Sequence, residues 1–216
     1  MQKEQLKLCI ISGSFEYDSE LSLTIFSDYM EKHHGVKSKM IIYKTENDDI
    51  SLEPINDADV LLVFTRRLNT AGNELERFKS YCMDGKPIVG IRTASHAFQN
   101  WLVFDKEVLG GNYQGHYGGG PICHVEFAQD AKDHPILEDV SSFDSFGSLY
   151  KNIPIADDAT LLLNGKTDDH FEPVAWTRIN KGGRVFYTSL GHQKDFLEAD
   201  FLKLIANGVF WAGGVI

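Results

Sequence analysis

Short runs of apolar residues alternate with amphipathic segments through the first hundred residues of the chain. The runs of strand length are residues 6–12, 39–43, 60–64 and 88–91. Residues 60–64 are apolar at every position, which is typical of a strand that is covered on both faces. Strands that alternate with helices favour a doubly wound, mostly parallel sheet, and we therefore predict an α/β fold of that type.

Two of the intervening segments have the spacing of amphipathic helices. In residues 21–34, apolar side chains recur every three or four positions, and Gly35 follows as a residue that can end the helix. Thr70 can begin the second helix, whose apolar face includes Leu75 and Phe78. We expect both helices to pack on the predicted sheet.

Residues 110–121 interrupt this alternation with two clusters of glycine. Glycine at this density favours a surface loop, and long loops in compact domains often bind ligands. Beyond the loop, the pattern predicts four more strands and a final helix: residues 124–127, 160–164, 173–179, 184–189 and 200–211. No repeat and no linker divides the sequence, so we expect a single domain over residues 1–216.

The chain is acidic, with a formal net charge of −10 over 216 residues. It lacks the basic face that nucleic acids and anionic membranes require, so we expect neither as a partner. The N-terminus has no long apolar run and no window reaches the length of a membrane span, so we expect a cytoplasmic protein. Cys9, Cys82 and Cys123 lack metal-site spacing, and we expect reduced thiols, no metal and no other cofactor.

The run of residues 88–91 ends at Arg92, and a segment compatible with a helix follows at once. In open α/β sheets, ligands bind at such strand-to-helix turns, where many enzymes carry a nucleophilic Ser or Cys. A guanidinium is always charged and is no nucleophile near neutral pH, so covalent catalysis is excluded at this position. Arg92 would instead form a positive site for a carboxylate, a phosphate or sugar hydroxyls, or would pair with a buried acidic residue.

Several separated blocks of the sequence occur in the order and spacing of a known family. The blocks are residues 90–95, 115–116, 133–136, 172–178, 183–192 and 207–212. On these residues, the chain resembles the ThuA-like (trehalose-utilisation) family of the class I glutamine amidotransferase-like superfamily. The resemblance implies a flavodoxin-like, amidotransferase-like fold and a role in carbohydrate use. The chain departs from the family at residues 90–92, where Gly-Ile-Arg replaces the usual Gly-x-His, and Arg92 excludes glutamine amidotransferase chemistry.

His192 follows the last predicted strand, at a position that resembles that of the superfamily's catalytic histidine. Asp195, three residues further on, could orient its imidazole. A histidine with a pKa near its reference value can act as a general acid or base at neutral pH. The alternative is a histidine that only makes hydrogen bonds within its own loop.

The glycine-rich loop places His116 beside Tyr113 and Gln114. Aromatic rings and amides form the usual surface for sugar rings, which have apolar faces and polar edges. The alternative is an exposed loop without a ligand. His96 follows Arg92 by one turn. Arg66 and Arg67 follow a neighbouring strand at the same edge of the predicted sheet, and we expect one of them to line the cleft.

We therefore predict a histidine-centred cleft for a small, sugar-like ligand. The predicted catalytic residues are His192, Arg92 and His116, and the predicted substrate-binding residues are His96, Arg66, Tyr113, Gln114 and Gly191. The resemblance implies action on trehalose-like disaccharides or their oxidised derivatives, as a hydrolase, lyase or isomerase. The alternative is a non-catalytic ligand-binding or regulatory module. Self-association through the last helix and a core role for that helix are equally compatible with Phe210 and Trp211.

Overall fold

A computed structural model describes residues 6–120 and 122–216 of the chain. Within these residues, nine strands form one sheet in the order β2-β1-β3-β4-β9-β8-β7-β5-β6. The strands are β1 (Leu8–Gly13), β2 (Ser38–Ile42), β3 (Val60–Thr65), β4 (Ile88–Ile91), β5 (Cys123–Phe127), β6 (Phe143–Ser145), β7 (Thr160–Lys166), β8 (Phe171–Asn180) and β9 (Gly183–Thr188). Pro121, at the end of the predicted glycine-rich loop, and residues 1–5 lie outside the residues that the structure describes.

The sheet is mixed, which corrects the expectation of a mostly parallel sheet. β1 pairs in parallel with β2 and β3, β3 with β4, and β4 with β9. The other four pairings, which join β9, β8, β7, β5 and β6, are antiparallel. β8 and β9 are joined by the short turn at Lys181 and Gly182, and a turn of this kind can only connect antiparallel neighbours.

Helices cover both faces of the sheet, as the patterns of residues 21–34, 70–85 and 200–211 predict. α1 (Ser19–His34) and α3 (Ala199–Ala212) pack on one face, and α2 (Gly72–Met83) packs on the other. Successive residues of β3 alternate between the two cores, and all of them are buried. The apolar run at β3 therefore does reflect burial on both faces.

The segment after β4 differs from the expected helix. It forms a 3₁₀ turn over Arg92–His96, and a π-helical turn follows over Asp105–Leu109. The left-handed backbone of Arg92 prevents the strand from leading directly into an α-helix. In the residues that the structure covers, no helix combines the length and apolar character that crossing a membrane requires.

The parallel half of the sheet determines where side chains from distant segments meet. β1, β3, β4 and β9 run in the same direction as neighbours, so the residues that follow them share one edge. We call this the carboxyl edge. It receives the segments that begin at Ser14, Arg66, Arg92 and Ser189, and ligands of open α/β sheets bind at such an edge.

Candidate functional site

The end of β4 places an arginine at the carboxyl edge, next to the end of β9. Arg92 has a φ of +48° and is 1% exposed. Its Nη1 donates a hydrogen bond to the carbonyl oxygen of Ser189 at 2.7 Å. Its Nη2 donates to the carbonyl oxygen of Ser148 and to the phenol of Tyr17, both at 3.0 Å. The guanidinium therefore links three segments that are far apart in the sequence.

Two tyrosine rings flank this guanidinium. Its Cζ lies 4.5 Å from the ring centre of Tyr17 and 4.6 Å from that of Tyr150, within the range of cation–π attraction. Gly147 packs so closely that a Cβ there would lie 2.6 Å from Cζ. Among the described residues, no carboxylate forms an ion pair with Arg92. Of the two alternatives for Arg92, the pairing with a buried acidic residue is therefore not found in the described part of the chain, and carbonyl oxygens and aromatic rings surround the cation.

His192 lies beyond the end of β9, and its ring centre is 6.2 Å from that of Tyr17. Its Nδ1 accepts a hydrogen bond from the backbone N–H of Lys194 at 3.2 Å. Because a backbone N–H can only donate, the neutral imidazole carries its proton on Nε2. Burial lowers the pKa of His192, and the positive charges of Arg92 and Lys194 add to this effect against the opposing charge of Asp195. At neutral pH, His192 therefore presents an uncharged N–H donor.

Asp195 does not orient the imidazole of His192, in contrast to the sequence expectation. Its Oδ2 accepts hydrogen bonds from the backbone N–H groups of Gly191 and His192, both at 2.9 Å, and from the hydroxyl of Ser145 at 2.7 Å. Its Oδ1 accepts from the N–H of Phe146 at 3.0 Å. Asp195 thus fixes the backbone of the turn and ties it to β6. The backbone N–H of Gly191, a predicted substrate-binding residue, therefore donates its hydrogen bond within this turn.

His96, at the end of the 3₁₀ turn, is buried. Its ring stacks on that of Tyr113 with centres 4.6 Å apart, and its Nδ1 lies 3.0 Å from the hydroxyl of Ser95. Burial lowers the pKa of His96 to about 3, with further contributions from the charges of Arg67, Arg66 and Arg92. His96 is therefore neutral at physiological pH and offers a ring surface rather than a mobile proton.

The glycine-rich segment is held against residues 149–151 by backbone hydrogen bonds. Gln114 N donates to Lys151 O, Lys151 N to Gly115 O and Tyr117 N to Leu149 O, at 2.9 to 3.0 Å. The side-chain amide of Gln114 donates to the carbonyl oxygen of Ile153 at 2.8 Å. This part of the predicted loop therefore has a defined conformation.

His116 is exposed on this segment, with its ring centre 6.5 Å from that of Tyr150. Its Nδ1 lies 3.1 Å from the carbonyl oxygen of Tyr117, an atom that can only accept a hydrogen bond. In the neutral form of this imidazole, Nδ1 therefore carries the proton and Nε2 carries the lone pair. The tautomer of His116 is the opposite of that of His192.

Two tyrosines that the sequence analysis did not single out connect the predicted residues. The ring of Tyr17 contacts Arg92 and His192, and that of Tyr150 lies near Arg92, His96, Tyr113 and His116. We call this set of seven residues the edge cluster. Arg66 lies beside it and forms an ion pair with Glu16, at 3.1 Å between Nε and Oε1. In the part of the chain that the structure covers, no three His, Cys, Asp or Glu residues are placed to hold a metal ion.

Asp105 is a further buried acidic group behind this cluster. Its Oδ2 accepts a hydrogen bond from Tyr113 N at 2.8 Å, and its buried Oδ1 has no hydrogen-bond partner among the residues that the structure describes. Burial raises the pKa of Asp105 to about 6, against the effect of the hydrogen bond from Tyr113. A perturbed carboxyl group in a π-helical turn is typical of functional sites. The sequence gives no signal that singles out Asp105, because residues 104–109 read Phe-Asp-Lys-Glu-Val-Leu and carry a second acidic residue and a lysine beside it.

Comparisons with known proteins agree with this architecture. The family model described as trehalose utilisation, ThuA, matches residues 10–212. A ThuA-like protein from Bacteroides uniformis is 20% identical, with a TM-score of 0.74 over 98% of this chain and 94% of that one. For a ThuA-like protein from Parabacteroides merdae, the identity is 17% and the TM-score 0.77, over 97% of this chain and 90% of that one.

The same fold occurs in a glutamine amidotransferase from Thermotoga maritima. That protein is 10% identical, with a TM-score of 0.59 over 98% of this chain and 99% of that one. At this level of identity the likeness concerns the fold alone, and it confirms the predicted amidotransferase-like architecture. No curated protein matches the sequence significantly.

Proposed function

The chain belongs to the ThuA family, and on that premise we propose that it acts on trehalose-like disaccharides or their oxidised derivatives at the edge cluster. The observation that carries the proposal is the grouping of three imidazoles and three tyrosine rings at the carboxyl edge of the sheet, where Tyr17, Tyr113, His116 and His192 remain at least partly exposed. Sugars present apolar ring faces and polar edges, and aromatic rings beside polar groups bind both. Arg92 supports this surface because it holds Tyr17 and Tyr150.

The opposite tautomers of the two outer histidines favour chemistry on an oxidised sugar. His192 offers Nε2–H as a donor to a carbonyl oxygen, as a neutral imidazole does when it polarises a carbonyl group. His116 offers the lone pair of its Nε2, which can accept a proton from the carbon next to that carbonyl. The electron pair of the C–H bond then moves toward the oxygen that His192 stabilises. This is the first step of an isomerase or lyase reaction.

A thermal-shift assay with the full chain tests the proposal. We expect millimolar trehalose derivatives that carry a carbonyl group to raise the melting temperature. We expect His192→Ala to abolish turnover of the stabilising sugar while it leaves most of the affinity. His33→Ala is the matched control, because His33 is exposed near the end of α1, outside the edge cluster. The absence of any shift with neutral, oxidised and anionic sugars would contradict the proposal.

The second candidate is a ligand-binding module without catalytic activity. The observation that favours it is the use of Asp195, whose oxygens bind backbone N–H groups and Ser145 and leave no carboxylate on the imidazole of His192. A comparison of the wild-type chain with His192→Ala distinguishes the enzyme from the binding module. A binding module would show no turnover in the wild-type chain and weaker sugar binding after His192→Ala.

A further inference from the structure

The carboxyl edge carries a concentration of positive charge in an acidic chain. Arg66 and Arg67 follow β3, and Arg92 follows the neighbouring β4, whereas the whole chain has a formal net charge of −10. Burial lowers the pKa of His96 and the three guanidinium groups add to this effect, whereas burial raises the pKa of Tyr113 and the same three groups oppose it. Their field therefore extends over the stacked rings where a ligand would lie.

The guanidinium groups of Arg66, Arg67 and Arg92 differ in the groups that surround them. Arg66 forms an ion pair with Glu16, and Arg92 is enclosed by carbonyl oxygens and tyrosine rings. Arg67 is exposed, and within the described residues its guanidinium makes no ion pair. Its Nη1 donates only to the neutral amide oxygen of Gln99, at 3.2 Å. Arg67 thus keeps a full positive charge at the rim of the edge cluster.

The backbone of Arg67 is held in place by the same turn that carries His96. Arg67 has a φ of +48°, an unfavourable conformation for a residue with a Cβ. Its N–H donates to His96 O at 2.8 Å, and Leu68 N donates to Ala97 O at 2.9 Å. Unfavourable backbone conformations that the surrounding structure maintains cluster at ligand sites. These two hydrogen bonds fix the backbone at Arg67 and therefore the position from which its side chain extends to the rim of the edge cluster.

We propose that Arg67 binds an anionic group of the ligand, so that the preferred ligand is a sugar bearing a carboxylate or a phosphate rather than a neutral disaccharide. This inference rests on the proposed function at the edge cluster. The planar guanidinium can donate two parallel hydrogen bonds to either oxyanion. Gln99 occupies only one of its N–H groups.

Isothermal titration calorimetry with the full chain tests this inference with three probes: trehalose, trehalose 6-phosphate and the carboxylate disaccharide lactobionate. We expect one of the two anionic sugars to bind at least about tenfold more tightly than trehalose, and its advantage to shrink as salt screens the site. Arg67→Gln should remove this advantage and leave trehalose binding unchanged. Arg67→Lys keeps the charge but loses the planar fork, so it should recover part of the advantage.

Lys32→Gln is the matched control, because it removes one positive charge from an exposed position on α1. Thermal melting of each variant verifies that it is folded. Equal affinity for neutral and anionic sugars in the wild-type chain would overturn the role of Arg67 and leave the proposed function standing. Failure of all three sugars to bind would overturn the role of Arg67, whereas the proposed function is decided separately by the thermal shift with carbonyl-bearing trehalose derivatives.

Discussion

At the scale of single residues, Arg92 shows how a cation can be buried without a carboxylate. Two carbonyl oxygens, a phenol and two aromatic faces replace the solvation that the guanidinium loses. Each hydrogen bond of a charged donor contributes about 1.5–3 kcal/mol to stability. Arg92 is therefore a structural centre that holds Tyr17 and Tyr150 in position.

Removal of this guanidinium should destabilise the protein. In Arg92→Met, the carbonyl oxygens of Ser148 and Ser189 lose their charged donor, so we expect the free energy of unfolding to fall by about 3 kcal/mol. Urea denaturation measures this change. The comparison variant Arg66→Met should change stability by less than about 1 kcal/mol, because Arg66 is partly exposed and its ion pair is at the surface. Equal effects of the two substitutions would contradict this account of Arg92.

Asp105 gives a prediction on pH. Its pKa is raised from 3.8 to about 6 by burial, so the folded state favours the protonated form. The stability that protonated Asp105 contributes is therefore fully present below pH 3.8 and is lost as the pH rises through 6. At pH 8, ionisation of this buried carboxyl group lowers the free energy of unfolding by about 3 kcal/mol. Asp105→Asn should raise the melting temperature at pH 8 and change it little at pH 4. A stabilisation that is equal at both pH values would contradict the raised pKa.

At the scale of elements, the glycine-rich segment depends on two kinds of glycine. A Cβ on Gly111 would collide with Oδ1 of Asp105, whereas a Cβ on Gly118 would meet no atom within 4 Å. Gly111 therefore lets the backbone approach the carboxylate that holds Tyr113 N. The segment is fixed at this end by Asp105 and further along by residues 149–151.

We expect Gly111→Ala to detach Tyr113 from His96, because the added methyl group displaces the Asp105 side chain. Hydrogen exchange at the Tyr113 amide should accelerate at least about tenfold, since the amide loses its carboxylate acceptor. Gly118→Ala is the matched control and should leave this exchange rate unchanged. Unchanged exchange in Gly111→Ala would show that Asp105 does not hold the segment.

The sequence predicted the parallel half of the sheet well because its strands are uniformly apolar. Val60–Thr65 and Ile88–Ile91 match the predicted runs to within one residue. The same uniformity hid the antiparallel half, because Phe171–Asn180 is also buried along most of its length and has no alternating pattern that reveals its direction. β6 escaped prediction because three residues are too short for any periodicity.

The candidate site could be predicted where a residue follows a strand or lies in the glycine-rich loop. Arg92 comes directly after an apolar run and His192 shortly after one, so the sheet edge could be inferred for both. Tyr17 and Tyr150 reach the same place through long-range packing, which no local pattern records. The role of Asp195 was misjudged because sequence spacing cannot tell an imidazole partner from a backbone partner.

At the scale of the whole molecule, the two edges of the parallel strands offer different sites. The carboxyl edge combines aromatic rings, two histidines of opposite tautomer and an arginine cluster. The opposite edge has a groove of about 350 Å³, lined among others by Leu8, Lys39 and Ala58. The central claim is that the function resides at the carboxyl edge, since among the described residues aromatic rings lie beside histidines there.

A crystal structure of the full chain with the sugar that gives the largest thermal shift tests this claim most directly. We predict that the sugar lies on the half-buried ring of Tyr113, with an oxygen atom within hydrogen-bond distance of His192 Nε2. A sugar bound instead in the groove beside Leu8 and Lys39, with the edge cluster unoccupied, would contradict the account.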